Sequence, residues 1–267
     1  MTQVITVVDS FTDTPFTGNP AGVCVLAAPT TEAWMASVAS ELNLAETAFV
    51  VPRPDGEHDL RWFTPTVEVE LCGHATLAAA HVLGGSGRFH TRVSGVLTCR
   101  PGAEPGAVEM DFPAVPTAPV VDPPDWAAAL GLVRDRVASV RAGDGWVLVE
   151  AVSPADVRTA VPDLAAVREL NDVVALSALS GDRPGVDCVT RVFAPGVGID
   201  EDQVTGSAHC MLAPVLAERT GRTAFTGEQA SRRGGTVGMR LEGERVALVG
   251  RAVTVWDGVL HADPPTT

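Results

Sequence analysis

Three short stretches of the chain carry groups able to move a proton. Glu46 stands in Ala45-Glu46-Thr47-Ala48-Phe49, a lone carboxylate among small and apolar side chains. Cys72-Gly73-His74-Ala75-Thr76 offers a thiol and an imidazole. Glu201-Asp202-Gln203-Val204-Thr205-Gly206-Ser207-Ala208 places two carboxylates just before a glycine. Isomerisation needs a group that takes a proton from carbon and returns it, and donors that stabilise the charge developing between the two events. Apolar surroundings raise the proton affinity of a carboxyl group, which suits such a shuttle. Each residue also has an ordinary reading. Glu46 follows a predicted helix and could be a surface carboxylate at a strand end. His74 could be a helix N-terminal residue satisfied by backbone, and Asp202 could simply cap a helix.

Two of the three stretches belong to an internal repeat. Arg61-Trp62-Phe63-Thr64-Pro65 leads through Glu68 to Gly73-His74-Ala75, and Arg191-Val192-Phe193-Ala194-Pro195 leads through Glu201 to Gly206-Ser207-Ala208. Both copies read R-x-F-x-P, then an acid five residues before G-x-A, then an apolar run. Residues 58–63 and 187–193 have the composition of strands that end at a proline. The runs 75–83 and 208–217 are apolar nearly all round, as in a helix buried on every side. A buried helix that starts at G-x-A has unpaired N–H groups in its first turn. With the helix dipole, these make a site for a carboxylate or phosphate. The repeat therefore predicts two helix starts, at Gly73 and Gly206, aimed at one cleft and one anionic substrate.

The elements that must hold these residues are legible in outline. Strands are predicted at 4–8, 23–27, 92–99, 108–112, 146–151, 235–241 and 245–255, and outer helices at 31–42 and 154–167. Five prolines between Pro113 and Pro124 mark a crossover. The expected fold class is α+β, with two pseudo-symmetric halves, each a curved, mainly antiparallel sheet wrapped around a central apolar helix. The halves are expected at residues 1–115 and 116–267, the second including the crossover.

Composition excludes several functions. Of the 267 residues, 46% are hydrophobic and 19% charged, enough for a substantial core. The net charge is −14, and all 19 basic residues are arginine. An acidic chain is a poor partner for nucleic acid or an anionic membrane. The absence of lysine excludes Schiff-base chemistry through that residue. Five scattered cysteines without C-x-x-C suit free thiols in a reducing compartment, and the start reads as a strand, so the expected location is the cytoplasm. No G-x-G-x-x-G or P-loop pattern occurs, and no cofactor is expected. Cys72, His74, His209 and Cys210 lack zinc spacing, so no metal is expected either.

The segments VVDSFTDTPFTGNPAGV, NLAETAF, RWFTPTVEVELCGHATLAAAHVL and EDQVTGSAHC resemble the signature segments of the phenazine-biosynthesis PhzF-like family. The resemblance runs nearly end to end and implies a diaminopimelate epimerase-like fold. It implies that Glu46 is the acid–base residue, with His74 and Asp202 as polar companions and the N–H groups at Gly73, Gly206 and Ser207 holding the substrate. Asn19, in a T-G-N-P turn, joins as a binding candidate because the family's cleft lies there. The implied enzyme is a homodimeric, cofactor-independent isomerase acting on a small unsaturated carboxylate. Two positions depart from the pattern: Ala45 replaces a hydroxyl residue before the glutamate, and Gln203 replaces a proline. In related amino-acid epimerases two facing cysteines exchange protons. Cys72 sits at the first of those places, whereas the second offers only Val204 or Thr205, so Cys72 reads as structural. The rivals are an amino-acid or hydroxyproline-type epimerase on the same fold and a non-catalytic binding protein.

Overall fold

The computed structural model describes residues 3–265. The chain divides into two compact units. The first holds the residues up to Asp111 together with those from Val249 onward, and the second runs from Phe112 to Leu248.

The first unit contains β1 (Gln3–Ser10), β2 (Asn19–Val25), α1 (Glu32–Leu42), β3 (Glu46–Pro52), β4 (His58–Phe63), β5 (Glu68–Val69), α2 (Gly73–Val82), β6 (Gly87–His90), β7 (Val96–Pro101) and β8 (Ala107–Pro113). β1 pairs antiparallel with β2, β2 parallel with β3, and β3 antiparallel with β4. β4 then pairs parallel with β6, and β6–β7–β8 continue as antiparallel neighbours. Strand alternation sorts the side chains onto two faces. Ile5, Val7, Cys24, Phe49 and Phe63 pack outward with Met35 and Val38 of α1. Ser10, Asn19 and Glu46 therefore point to the opposite face, toward α2. His74–Ala80 of that helix are all buried, as its apolar composition predicts.

The second unit repeats the order. It contains β9 (Ala118–Pro119), α3 (Trp126–Ala129), β10 (Val137–Gly143), β11 (Trp146–Ala151), α4 (Pro154–Thr159), α5 (Leu164–Leu170), β12 (Val173–Ala178), β13 (Cys188–Ala194), β14 (Ile199–Asp202), α6 (Gly206–Thr220), β15 (Ala224–Gln229), β16 (Gly235–Glu242) and the first residues of β17 (Arg245–Leu260). β10 pairs antiparallel with β11, β11 parallel with β12, β12 antiparallel with β13, and β13 parallel with β15, strand for strand as in the first unit. Gly73 and Gly206 open the two central helices at equivalent points. α6 carries Pro214, which has no N–H for the carbonyl of Cys210; the N–H of Val115 takes that acceptor instead, at 3.2 Å.

Two expectations need correcting. The outer helix predicted over 154–167 is two helices, because Pro162 disfavours helical backbone at Val161 and Asp163 starts a new helix by accepting the N–H groups of Ala165 and Ala166. The boundary at 115/116 does not describe the C-terminal residues. β17 leaves the second unit at Leu248, and its residues from Ala252 to Leu260 pair antiparallel with β1.

The repeated sequence motif also has a structural explanation. Arg61 Nε and Nη2 donate to the two carboxylate oxygens of Glu68, each at 2.6 Å, and Arg191 grips Glu201 in the same way at 2.7 and 3.0 Å. Each guanidinium also lies over the phenylalanine two residues on, 5.1 Å from the Phe63 ring centre and 4.9 Å from that of Phe193. The acid before each G-x-A thus ties the loop that leads into the central helix.

Candidate active site

In the first unit four of the sequence candidates meet. Glu46 is the first residue of β3 and is buried, so it is a strand-end carboxylate but not a surface one. Its Oε2 lies 3.0 Å from Nε2 of His74, the second residue of α2. That Nε2 has no hydrogen-bond partner of good geometry, so the two groups meet as a close charge contact and not as an aligned bond. On the other edge of the imidazole, Nδ1 is 3.2 Å from Asn19 Nδ2 and 3.5 Å from Cys72 Sγ. Ser10 Oγ donates to the carbonyl of His74 at 2.7 Å and fixes the backbone there. The registers Ser10 with Asn19 and Ala21 with Glu46 bring these side chains to one end of the sheet.

Burial opposes a charge on His74. The Cys72 sulfur and the Glu46 carboxylate beside it favour that charge and prevail, so the imidazole titrates well above its ordinary 6.5. Burial pushes the Cys72 thiol up, and the Glu46 carboxylate pushes it further. The sulfur and the carboxylate are thus the two groups that favour a charge on His74. Glu46, Cys72 and His74 place one donor atom each within 4.8 Å of the others. Glu46 lies nearest Nε2 of the ring and Cys72 nearest Nδ1. The three donor atoms thus form one tight cluster about the His74 ring. His209, weighed in the sequence as a possible ligand, spends Nδ1 on the carbonyl of Thr205 at 2.8 Å.

The second unit holds the remaining candidates on one turn. Asp202 ends β14, and its Oδ2 is 2.5 Å from the Thr205 hydroxyl. Gly206 and Ser207 are the first two residues of α6. Thr205, the N-cap of α6, occupies the place that Cys72 holds before α2, and neither side chain caps its helix. The first-turn N–H groups at Gly73, Gly206 and Ser207 thus receive no side-chain cap from the residue that ordinarily supplies it.

The sequence profile described as phenazine biosynthesis-like protein matches residues 8–258. The chain belongs to the phenazine biosynthesis-like family. An uncharacterized isomerase of Halalkalibacterium halodurans is 40% identical to it over 264 residues, covering 96% of this chain and 97% of that protein. The crystal structure of a PhzF-family phenazine biosynthesis protein from Enterococcus faecalis matches with a TM-score of 0.90 and 34% identity, over 98% of this chain and 100% of that one. A hydroxyproline epimerase from Agrobacterium vitis matches with a TM-score of 0.62 at 11% identity, over 99% and 94% of the two chains, a likeness of fold alone. This phenazine biosynthesis-like protein is an isomerase with an α+β, diaminopimelate epimerase-like fold.

Sequence reasoning missed three residues of these clusters, Ser10, Gln229 and Thr76, and weighed a fourth, His209, only as a possible ligand. Ser10 sits at the head of the resemblance segment, but nothing in the sequence aims its hydroxyl at the carbonyl of His74. Gln229 reaches the 202–205 turn from the end of β15, with no local motif to mark it. His209 and Thr76 are matched partners: each lies three residues into its helix and bonds the carbonyl of the N-cap residue, Thr76 to Cys72 and His209 to Thr205. Only alignment of the two repeats beyond G-x-A would have suggested that pairing.

Proposed function

We propose that this phenazine biosynthesis-like isomerase needs no cofactor and shifts a proton, and with it a double bond, on a small unsaturated carboxylate, with Glu46 as acid and base. The observation that carries the reading is the buried Glu46–His74 contact at the uncapped start of α2. Glu46 takes a proton from a substrate carbon. The electron pair of the broken C–H bond moves into the adjoining unsaturation, and Glu46 returns the proton to a different carbon. His74, favouring its charged form, supplies the positive partner while negative charge develops on the substrate. The N–H of Gly73 serves substrate binding in the first unit, Asp202 and the N–H groups of Gly206 and Ser207 are the substrate-binding groups of the second, and Asn19 serves through His74, against which its amide lies. A two-thiol epimerase is disfavoured because Thr205, not a cysteine, is the counterpart of Cys72. All five cysteines are buried and free, which supports a reducing location, and the proposal takes the protein to be a cytoplasmic homodimer.

The test is incubation with a panel of unsaturated carboxylates in D₂O, followed by NMR for deuterium at the carbon that receives the proton. With a responsive substrate in hand, Glu46→Gln is expected to lower turnover by roughly 10² to 10⁴, because the amide keeps the shape but cannot carry a proton. Cys72→Ser is expected to cost less than about tenfold, as befits a small packing group. Loss of activity in Cys72→Ser with activity retained in Glu46→Gln would overturn the assignment in favour of a thiol base.

A further inference from the structure

Gln229 is the last residue of β15 and has no exposed surface. Its Oε1 accepts the backbone N–H of Thr205 at 2.8 Å. An N–H can only donate, so this contact fixes which end of the amide is which. The Nε2 then donates to the carbonyl of Asp202 at 2.8 Å and to the hydroxyl of Thr205 at 3.1 Å. A hydroxyl has one proton to give. With Gln229 donating into Thr205 Oγ1, that proton goes to the remaining neighbour, Asp202 Oδ2, at 2.5 Å. His209 Nδ1 takes the Thr205 carbonyl, and every polar atom of Thr205 is then committed. A threonine at an N-cap ordinarily turns its hydroxyl to the N–H groups of its own helix. In this protein the hydroxyl turns back toward Asp202.

We propose that Gln229 is a positioning residue that acts through Thr205 on Asp202: it polarises the Thr205 hydroxyl toward Asp202 Oδ2 and locks that carboxylate as a hydrogen-bond acceptor. The proposal rests on the role given to Asp202 above, and it adds a direction to the bonding that the sequence does not contain. An amide two residues past Gly227 reaches back across the turn and decides what a threonine at the head of α6 does with its proton. The carboxylate is thereby presented in one rotamer and as an acceptor, the form in which it can receive an O–H or N–H of the substrate.

The experiment is a titration of the Asp202 carboxyl by carbon-detected NMR in the wild type, Thr205→Val, Thr205→Ser and Gln229→Met. Removing a donor from a carboxylate favours its protonated form. The midpoint is expected to move upward in Thr205→Val and Gln229→Met and to stay with the wild type in Thr205→Ser. An unmoved midpoint in Thr205→Val overturns the proposal. That variant keeps the β-branched shape and the backbone bond to Gln229, so the test stands even if Gln229→Met fails to fold. Turnover separates this proposal from the one it rests on. Thr205→Val is expected to lower kcat by roughly tenfold, equivalent to about 1.4 kcal/mol, with KM little changed and Thr205→Ser restoring the rate. If the titration moves as expected but Asp202→Asn turns over normally, the relay stands and the role of Asp202 in the reaction falls.

Discussion

His209 makes a quantitative prediction about acid. Its ring is wholly buried in α6, with Nδ1 bonded to the carbonyl of Thr205. Nε2 has no hydrogen-bond partner and lies against Gly227, where an added Cβ would come within 2.7 Å of the ring. Burial drives this imidazole down from 6.5 to about 4. In the unfolded chain the ring binds a proton near 6.5, whereas the folded protein refuses it until about pH 4. Stability from this group is therefore fully present above pH 6.5 and is lost as pH falls from there to about 4. At 1.36 kcal/mol per pH unit the loss amounts to roughly 3 kcal/mol, a large part of the 5–15 kcal/mol that holds a typical domain. The comparison is with His209→Asn, whose amide N–H can still reach the Thr205 carbonyl but does not titrate. Urea unfolding at pH 7, 6, 5 and 4 is expected to show the wild type losing about 3 kcal/mol more than the variant across that range. The cavity left by asparagine lowers all four values alike and does not enter the difference. Parallel pH profiles would refute the reasoning and mean that water or a rearranged turn solvates the ring.

Glu46→Gln is expected to change the pH profile with the opposite sign. The carboxylate holds His74 above its ordinary titration, so the wild-type advantage over the variant is fully present below pH 6.5 and fades as pH rises through the folded His74 value, readable in the same urea series. Gly227→Ala is expected to destabilise by about 1–3 kcal/mol, the cost of overpacking a filled core. Most of that cost should vanish when Gly227→Ala is combined with His209→Asn, and a double-mutant cycle measures the coupling.

How much of this was legible in the sequence follows from how local each cause is. The repeat was readable because its residues do the same local job twice: Arg61 and Arg191 each grip an acid and cover a phenylalanine within one strand–loop–helix passage. The central helices were readable because a run buried on all sides must be apolar all round. The break between α4 and α5 was written in Pro162 and Asp163 and could have been read from them. β3 was not predicted as a strand of its own because only three residues separate it from the end of α1, although Glu46 was read as a strand end. The burial of Glu46 depends on the register of β3 against β2, which its own neighbours do not encode. Gln229 and Ser10 were invisible, and the bond made by His209 was unforeseen, for a related reason. Each acts across a turn or between strands on a backbone atom, and backbone atoms leave no mark on a sequence.

The return of β17 to β1 bears on the order in which the chain can fold as it is made. β1 is synthesised well before residues 252–260, and the edge that pairs with them waits until they arrive. Until they arrive, that edge presents open N–H and C=O groups beside the apolar side chains of Ile5 and Val7. The second unit, closed within Phe112 to Leu248, is complete before the first. A nascent chain therefore emerges with β1 unfinished, and a stop codon placed near Gly250 would release a product with a sticky edge. A rearranged chain that starts within the 113–124 crossover and places residues 249–265 ahead of β1 would make each unit continuous and remove that wait.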